Sequence, residues 1–119
     1  MPKRKLKIGI MSREDYQKRT IAIAKGEYKP GRNEPKIWFE TLESMAQVLS
    51  GKNRQLLKMI QDHRPSSLKE LEAISGRKKS NLSRTLKTMS NYGLVDLMQE
   101  GRAVQPVVKA SEFQVEFNI

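Results

Sequence analysis

Residues 67–95 read SLKELEAISGRKKSNLSRTLKTMSNYGLV, and the order of signals within this stretch decides the fold. Ser67 with Glu70 three residues later makes a capping box for a short helix whose Leu68, Leu71 and Ile74 face inward. Gly76 stops that helix. A second helix starts between Lys78 and Ser80 and runs to about Tyr92, with Leu82, Leu86 and Met89 spaced four and three apart on its core side. Gly93 terminates it. Leu94, Val95 and Leu97 then read as a strand, Glu100-Gly101 as a turn, and Val104, Val107 and Val108 as a return strand, together a hairpin. Helix, tight turn, helix and hairpin is the order of a winged helix-turn-helix module.

The charge pattern of the second helix points to a polyanion. With Leu82, Leu86 and Met89 fixing the buried side, Ser80, Asn81, Arg84, Lys87 and Thr88 project outward, mostly from the N-terminal half. Arg77, Lys78, Lys79, Arg84 and Lys87 fall within eleven residues that contain no acid. The N-terminal half of such a helix is the part that enters a DNA major groove. There Arg84 suits the paired acceptors of guanine and Asn81 the donor and acceptor of adenine, each good pair contributing about 1–3 kcal/mol of discrimination. Ser80 and Ser83 are short enough to approach phosphates or base edges. Lys78, Lys79 and Lys87 would neutralise flanking phosphates, which positions the protein without reading sequence. Arg102, just beyond the hairpin tip, is placed to reach a neighbouring minor groove or backbone, and Ser67 completes the expected DNA-contact set.

Working outward, Leu6, Ile8 and Ile10 alternate with Lys5, Lys7 and Gly9 as a short strand with one buried face. Ser12 and Asp15 resemble a capping box for a helix through about Lys25. Two glycines and two prolines between Gly26 and Pro35 mark a linker or wrapping loop. Ile37, Trp38 and Phe39 form the most apolar cluster of the chain. Thr41 caps a helix carrying Leu42, Met45, Ala46 and Leu49, and Ser50-Gly51 interrupts it. Leu56, Leu57 and Ile60 give the next helix, closed by His63-Arg64-Pro65. At the far end Phe113, Val115, Phe117 and Ile119 alternate with Gln114, Glu116 and Asn118 as a half-buried strand. That strand can complete a sheet within the chain, or add to residues 5–11 of a second subunit or to a partner's sheet. The expected organisation is α+β, mainly α: a strand-helix arm with its linker over 1–35, a winged helix-turn-helix domain over 36–110, and a terminal strand over 111–119.

Composition narrows the function. The 119 residues carry a net charge of +10 with a pI near 10, so nucleic acid is the leading partner. Residues 88–119, by contrast, are net acidic. There is no cysteine and one histidine, His63, which excludes thiol nucleophiles and Cys-ligated metals and leaves no second ligand for His63. No phosphate loop, nucleophile-base pair or carboxylate cluster is evident, so neither an enzyme nor a cofactor or metal site is expected. No apolar run reaches the roughly 18 residues of a membrane span, and the basic start leads into too few apolar residues for a signal peptide, so a cytoplasmic location without a membrane partner is expected.

Gly76 to Leu86, GRKKSNLSRTL, followed by Tyr92-Gly93-Leu94-Val95, resembles the recognition helix and wing entry of MarR-like winged-helix regulators. Residues 36–105, with KIWFETLESMAQVLS, the helix at Asn53 to Arg64 and the KSNLSRTLKTM run in the same order, also resemble a group of small prokaryotic regulators. The resemblance implies transcriptional regulation, and because some members of that group are paired with toxin genes, it implies an antitoxin role with a toxin partner. The expected protein is a repressor that binds a palindromic operator as a homodimer, since one recognition helix reads only a few base pairs. The alternative is a basic RNA-binding or ribosome-associated protein, which requires aromatics for stacking that the charged helix does not carry on its outward face.

Overall fold

Hydroxyl side chains set the start of four helices. Ser12, Thr41, Ser50 and Ser67 each accept a hydrogen bond from the backbone N–H three residues on, satisfying one of the donors that a helix start leaves open. The helices so begun are α1 (Arg13–Ala24), α2 (Leu42–Val48), α3 (Gly51–His63) and α4 (Leu68–Ser75). A fifth, α5 (Lys79–Tyr92), starts on Lys78 without any side-chain cap. Left-handed residues close three of them: Arg64 at φ 46° before Pro65, Gly76 at 72° and Gly93 at 88°. Glu70 departs from the expected capping box by one residue. Its carboxylate accepts from the backbone and hydroxyl of Ser66 rather than from the Ser67 backbone.

The computed structural model describes residues 4–119, so the first three residues of the basic start lie outside it. Five strands complete an α+β fold: β1 (Lys5–Ile10), β2 (Ile37–Phe39), β3 (Val95–Glu100), β4 (Ala103–Val108) and β5 (Glu112–Glu116). The Ile37-Trp38-Phe39 cluster, read from sequence only as apolar, is a strand. The β3–β4 hairpin is antiparallel, with Val95 opposite Val108 and Glu100 opposite Ala103 across the Gly101-Arg102 turn.

The terminal strand pairs within its own chain. β1 lies in the middle of a three-stranded sheet ordered β2-β1-β5, parallel to both neighbours. Leu6 and Ile8 sit beside Phe113 and Val115 on the face turned to the core, where Ile8, Ile37 and Phe39 are buried. On the other face, basic β1 meets acidic β5. Lys5 lies beside Glu112, and Lys7 Nζ is 3.3 Å from the Glu116 carboxylate, opposite charges that favour this pairing. Gly9 and Trp38 share that face, with the Arg19 guanidinium of α1 5.1 Å over the indole. A single buried cluster then runs from Ile8 through Leu56, Leu57 and Ile60 of α3 and Leu71 of α4 to Leu82, Leu86 and Met89 of α5. The Phe39 and Tyr92 rings stack at 4.1 Å and join the sheet to the end of α5.

Gly9 is required by the approach of Trp38. A Cβ at residue 9 would lie 2.3 Å from the indole, so Gly9→Ala should cost about 1–3 kcal/mol through overpacking. Gly31→Ala, whose Cβ would meet only the Glu34 side chain at 3.9 Å, should leave stability near the native value. Urea unfolding followed by the fluorescence of Trp38 measures both.

Candidate nucleic-acid interface

What lies beneath α5 determines what it presents. Leu82, Leu86 and Met89 are fully buried, and the helical repeat turns Ser80, Asn81, Ser83, Arg84, Lys87 and Thr88 outward, all of them exposed. No acidic side chain interrupts α5. The structure therefore brings Lys78, Lys79, Ser80, Asn81, Ser83, Arg84 and Lys87 onto one helix and its leading turn, within reach of a single extended ligand.

The start of α5 is electropositive for two reasons. Backbone N–H groups at a helix start carry partial positive charge, and Lys78 and Lys79 stand beside them. One of these donors is already engaged: Lys79 N donates to Glu72 Oε2 of α4 at 2.9 Å. This bond takes the place of the missing side-chain cap and ties α5 to α4 across the Gly76 turn.

Arg77, which the sequence places in the basic run without a role of its own, organises this end of the helix. Its Nε donates to Asn81 Oδ1 at 2.8 Å, one terminal nitrogen to Asn53 Oδ1 of α3 at 3.2 Å, and the other to Thr85 Oγ1 at 3.2 Å. Asn53 in turn donates to the Val48 carbonyl at the end of α2 at 2.9 Å. A guanidinium can only donate, so the Asn81 atom facing it is the oxygen, which keeps a second lone pair while Nδ2 stays available. The spacing of Arg77, Asn81 and Thr85 at four-residue intervals is the sequence signal for this arrangement; Asn53 is distant in sequence and gives none.

A hollow of about 490 Å³ opens beside Arg77, lined from α3 by Lys52, Gln55 and Met59 and from the end of α4, the turn and α5 by Ser75, Lys78 and Asn81. It adds Lys52 to the cationic surface, a residue that sequence reasoning missed because it lies on another helix. Ser67 is half-buried at the start of α4, and its hydroxyl oxygen is engaged by Glu70 N at 3.1 Å. The adjacent Glu70 carboxyl is held below its ordinary pKa of 4.5 by the Ser66 hydroxyl and then the Ser66 backbone N–H, so an anion there faces a carboxylate. Arg102 is exposed in the tight turn between β3 and β4, on a hairpin that α5 contacts through β3.

These features define a small α+β protein with a basic, acid-free helix face, and no helix among the described residues is long and apolar enough to cross a membrane. Residues 48–115 match the HVO_A0114 family, and because this is more than half of the chain, the chain belongs to that family. Neither the curated proteins nor the solved structures contain a match.

Removing the Arg77 fork should be felt in stability. Arg77→Met is expected to cost about 1.5–3 kcal/mol, the range for hydrogen bonds to a charged group, measured by urea unfolding. Glu70 sets a pH dependence. A carboxyl whose folded pKa is lowered stabilises above its unfolded pKa and loses that contribution as pH falls through the folded value. The stability advantage of the native chain over Glu70→Gln should thus be present at neutral pH and vanish as pH drops below 4.5, as read by thermal melts across that range.

Proposed function

We propose that this protein is a sequence-specific regulator of transcription that binds duplex DNA through α5, with α4, the Gly76 turn and α5 acting as a helix-turn-helix and the β3–β4 hairpin as its wing. The observation that carries the reading is the acid-free outward face of α5, whose orientation is fixed by Leu82, Leu86 and Met89. An α-helix fits the major groove, and Arg84 offers the fork that guanine accepts. Lys52, Lys78, Lys79 and Lys87 supply charge for the phosphates on either side, and Arg102 reaches outward from the hairpin tip. The regulator acts as a homodimer on a palindromic operator, and as a repressor. A toxin-like gene beside its own would extend the role to that of an autoregulating antitoxin, in line with the resemblance to the group of small prokaryotic regulators.

Duplex DNA is favoured over single-stranded RNA because the outward face of α5 presents no aromatic ring. The one aromatic of the helix, Tyr92, is stacked on Phe39. Recognition of splayed bases relies on such rings.

Fluorescence anisotropy with a duplex selected from a random library tests the reading. Arg84→Ala should lose the preference for the selected duplex, a fall of roughly 5- to 150-fold from about 1–3 kcal/mol, with little change on random duplex. Lys79→Ala should weaken both duplexes alike and reduce the slope of log K against log salt by about 0.9. Equal losses on selected and random duplex for Arg84→Ala would overturn base reading by this helix.

A further inference from the structure

We propose that the open edge of β5 is a self-pairing surface, on which a second copy of this chain adds its own β5 antiparallel about a two-fold axis at Val115. The inference rests on the dimeric regulator proposed above and names the surface that makes it a dimer.

β5 is the outer strand of the sheet. Glu112 N donates inward to the Arg4 carbonyl at 3.3 Å, so the alternation of the strand turns the backbone groups of Glu112, Gln114 and Glu116 toward β1. Those of Phe113 and Val115, and of Phe117 as the alternation continues, point away from it. An open edge of this kind is a template for another strand. The side chains beside it run out of core to cover them: Phe113 is half-buried, Val115 is 40% exposed, Phe117 58%, and Ile119 fully exposed. This is an apolar row ending in solvent.

Charge selects the occupant and the register. Opposed residues in an antiparallel pair share one face of the sheet, so a two-fold axis must pass through a residue of the strand. With the axis at Val115, Phe113 faces the partner's Phe117, Gln114 faces the partner's Glu116, and Glu112 faces the partner's Asn118. The whole of 111–119 is paired, with no acid opposite an acid. With the axis at Gln114, Glu112 would face the partner's Glu116. With the axis at Glu116, that carboxylate would face its own copy. An axis at Phe113 would bring the buried Ala110 opposite Glu116, and an axis at Phe117 lies outside β5. The strand is therefore complementary to itself in the register centred on Val115, which aligns the outward groups of Phe113, Val115 and Phe117 for reciprocal hydrogen bonds.

The native chain has no cysteine, so single substitutions report the register. Val115→Cys should give a disulfide-linked dimer on treatment with diamide. Gln114→Cys and Glu116→Cys should each stay unlinked alone and cross-link when mixed, because each faces the other across the axis. Val115→Pro removes an outward N–H from an edge strand, together with a side chain that is already 40% exposed, and should yield a monomer by analytical ultracentrifugation, with the helical circular dichroism of the native dimer. Phe117→Lys, beyond the last hydrogen-bonded residues, should do the same. A native chain that is monomeric throughout, a dimer that survives both Val115→Pro and Phe117→Lys, or cross-linking of Gln114→Cys or Glu116→Cys alone would overturn the proposal. So would a monomer that takes up only a strand of another protein. Duplex binding is read separately. A dimer linked through Val115→Cys that ignores DNA upholds the interface and removes the proposed function, while an Arg84-dependent monomer on DNA does the reverse.

Discussion

The burial of Leu82, Leu86 and Met89 is the constraint from which the rest of the candidate site follows. Each residue of an α-helix advances the side chain by about 100°, so three fully buried side chains on one stripe leave α5 no freedom to rotate about its axis. Asn81 and Arg84 face outward because their neighbours in sequence face inward. The two ends are held by different chemistry. At the C-terminal end Tyr92 stacks on Phe39 and Gly93 turns the chain into β3. At the N-terminal end Arg77 bridges α3 and α5, and Glu72 takes up a helix-start donor. The helix is thus clamped along its length, so its outward side chains hold fixed positions relative to one another.

The sheet explains where the charge goes. A net charge of +10 suggests a uniformly cationic surface, yet the central strand spends its lysines locally. Lys5 and Lys7 lie against Glu112 and Glu116, carried by the net-acidic C-terminal part of the chain. The acids of β5 thereby offset the lysines of β1. Around the start of α5, Lys52, Lys78 and Lys79 are met, among the described residues, by a single carboxylate, that of Glu72, which accepts from Lys79 N, so this end of the helix keeps a surplus of positive charge.

Local signals in the sequence were sufficient for most of the elements. Hydroxyl caps at Ser12, Thr41, Ser50 and Ser67, glycines at 76 and 93, the Leu82-Leu86-Met89 spacing and the valine-rich hairpin all act within a few residues, and the structure forms them there. The helix of Leu56, Leu57 and Ile60 starts at Gly51, two residues before the expected Asn53, because Ser50, directly after the Leu49 C-cap of α2, caps α3. Illegible were the features that depend on distant partners. Ile37–Phe39 is too short to show an alternation, and it becomes a strand only because Ile8, Gly9 and Ile10 lie beside it. The parallel pairing of β1 with β5 joins the two ends of the chain, and complementary charges on the two strands are visible in sequence only once that pairing is known. Glu70 bonds one position away from the neighbour its spacing suggests, because Ser66 and Ser67 offer the same chemistry and only the backbone path separates them.

Arg77 shows why a candidate site cannot be read from its outward residues alone. A bidentate contact to adenine uses the carbonyl and the amide nitrogen of an asparagine together, and Asn81 enters any such contact with one carbonyl lone pair already committed to Arg77. The commitment restricts the plane of the amide and narrows the approach angles from which a base edge can be met. It also links that plane to Asn53, and through it to the end of α2. The orientation of the Asn81 amide is thus set by a half-buried guanidinium and, through it, by α3 and the end of α2. Among the described residues the Arg84 side chain has no comparable tether, and its backbone carbonyl accepts from the Thr88 hydroxyl. The two outward residues therefore differ in kind, Asn81 held in one orientation and Arg84 free to adjust.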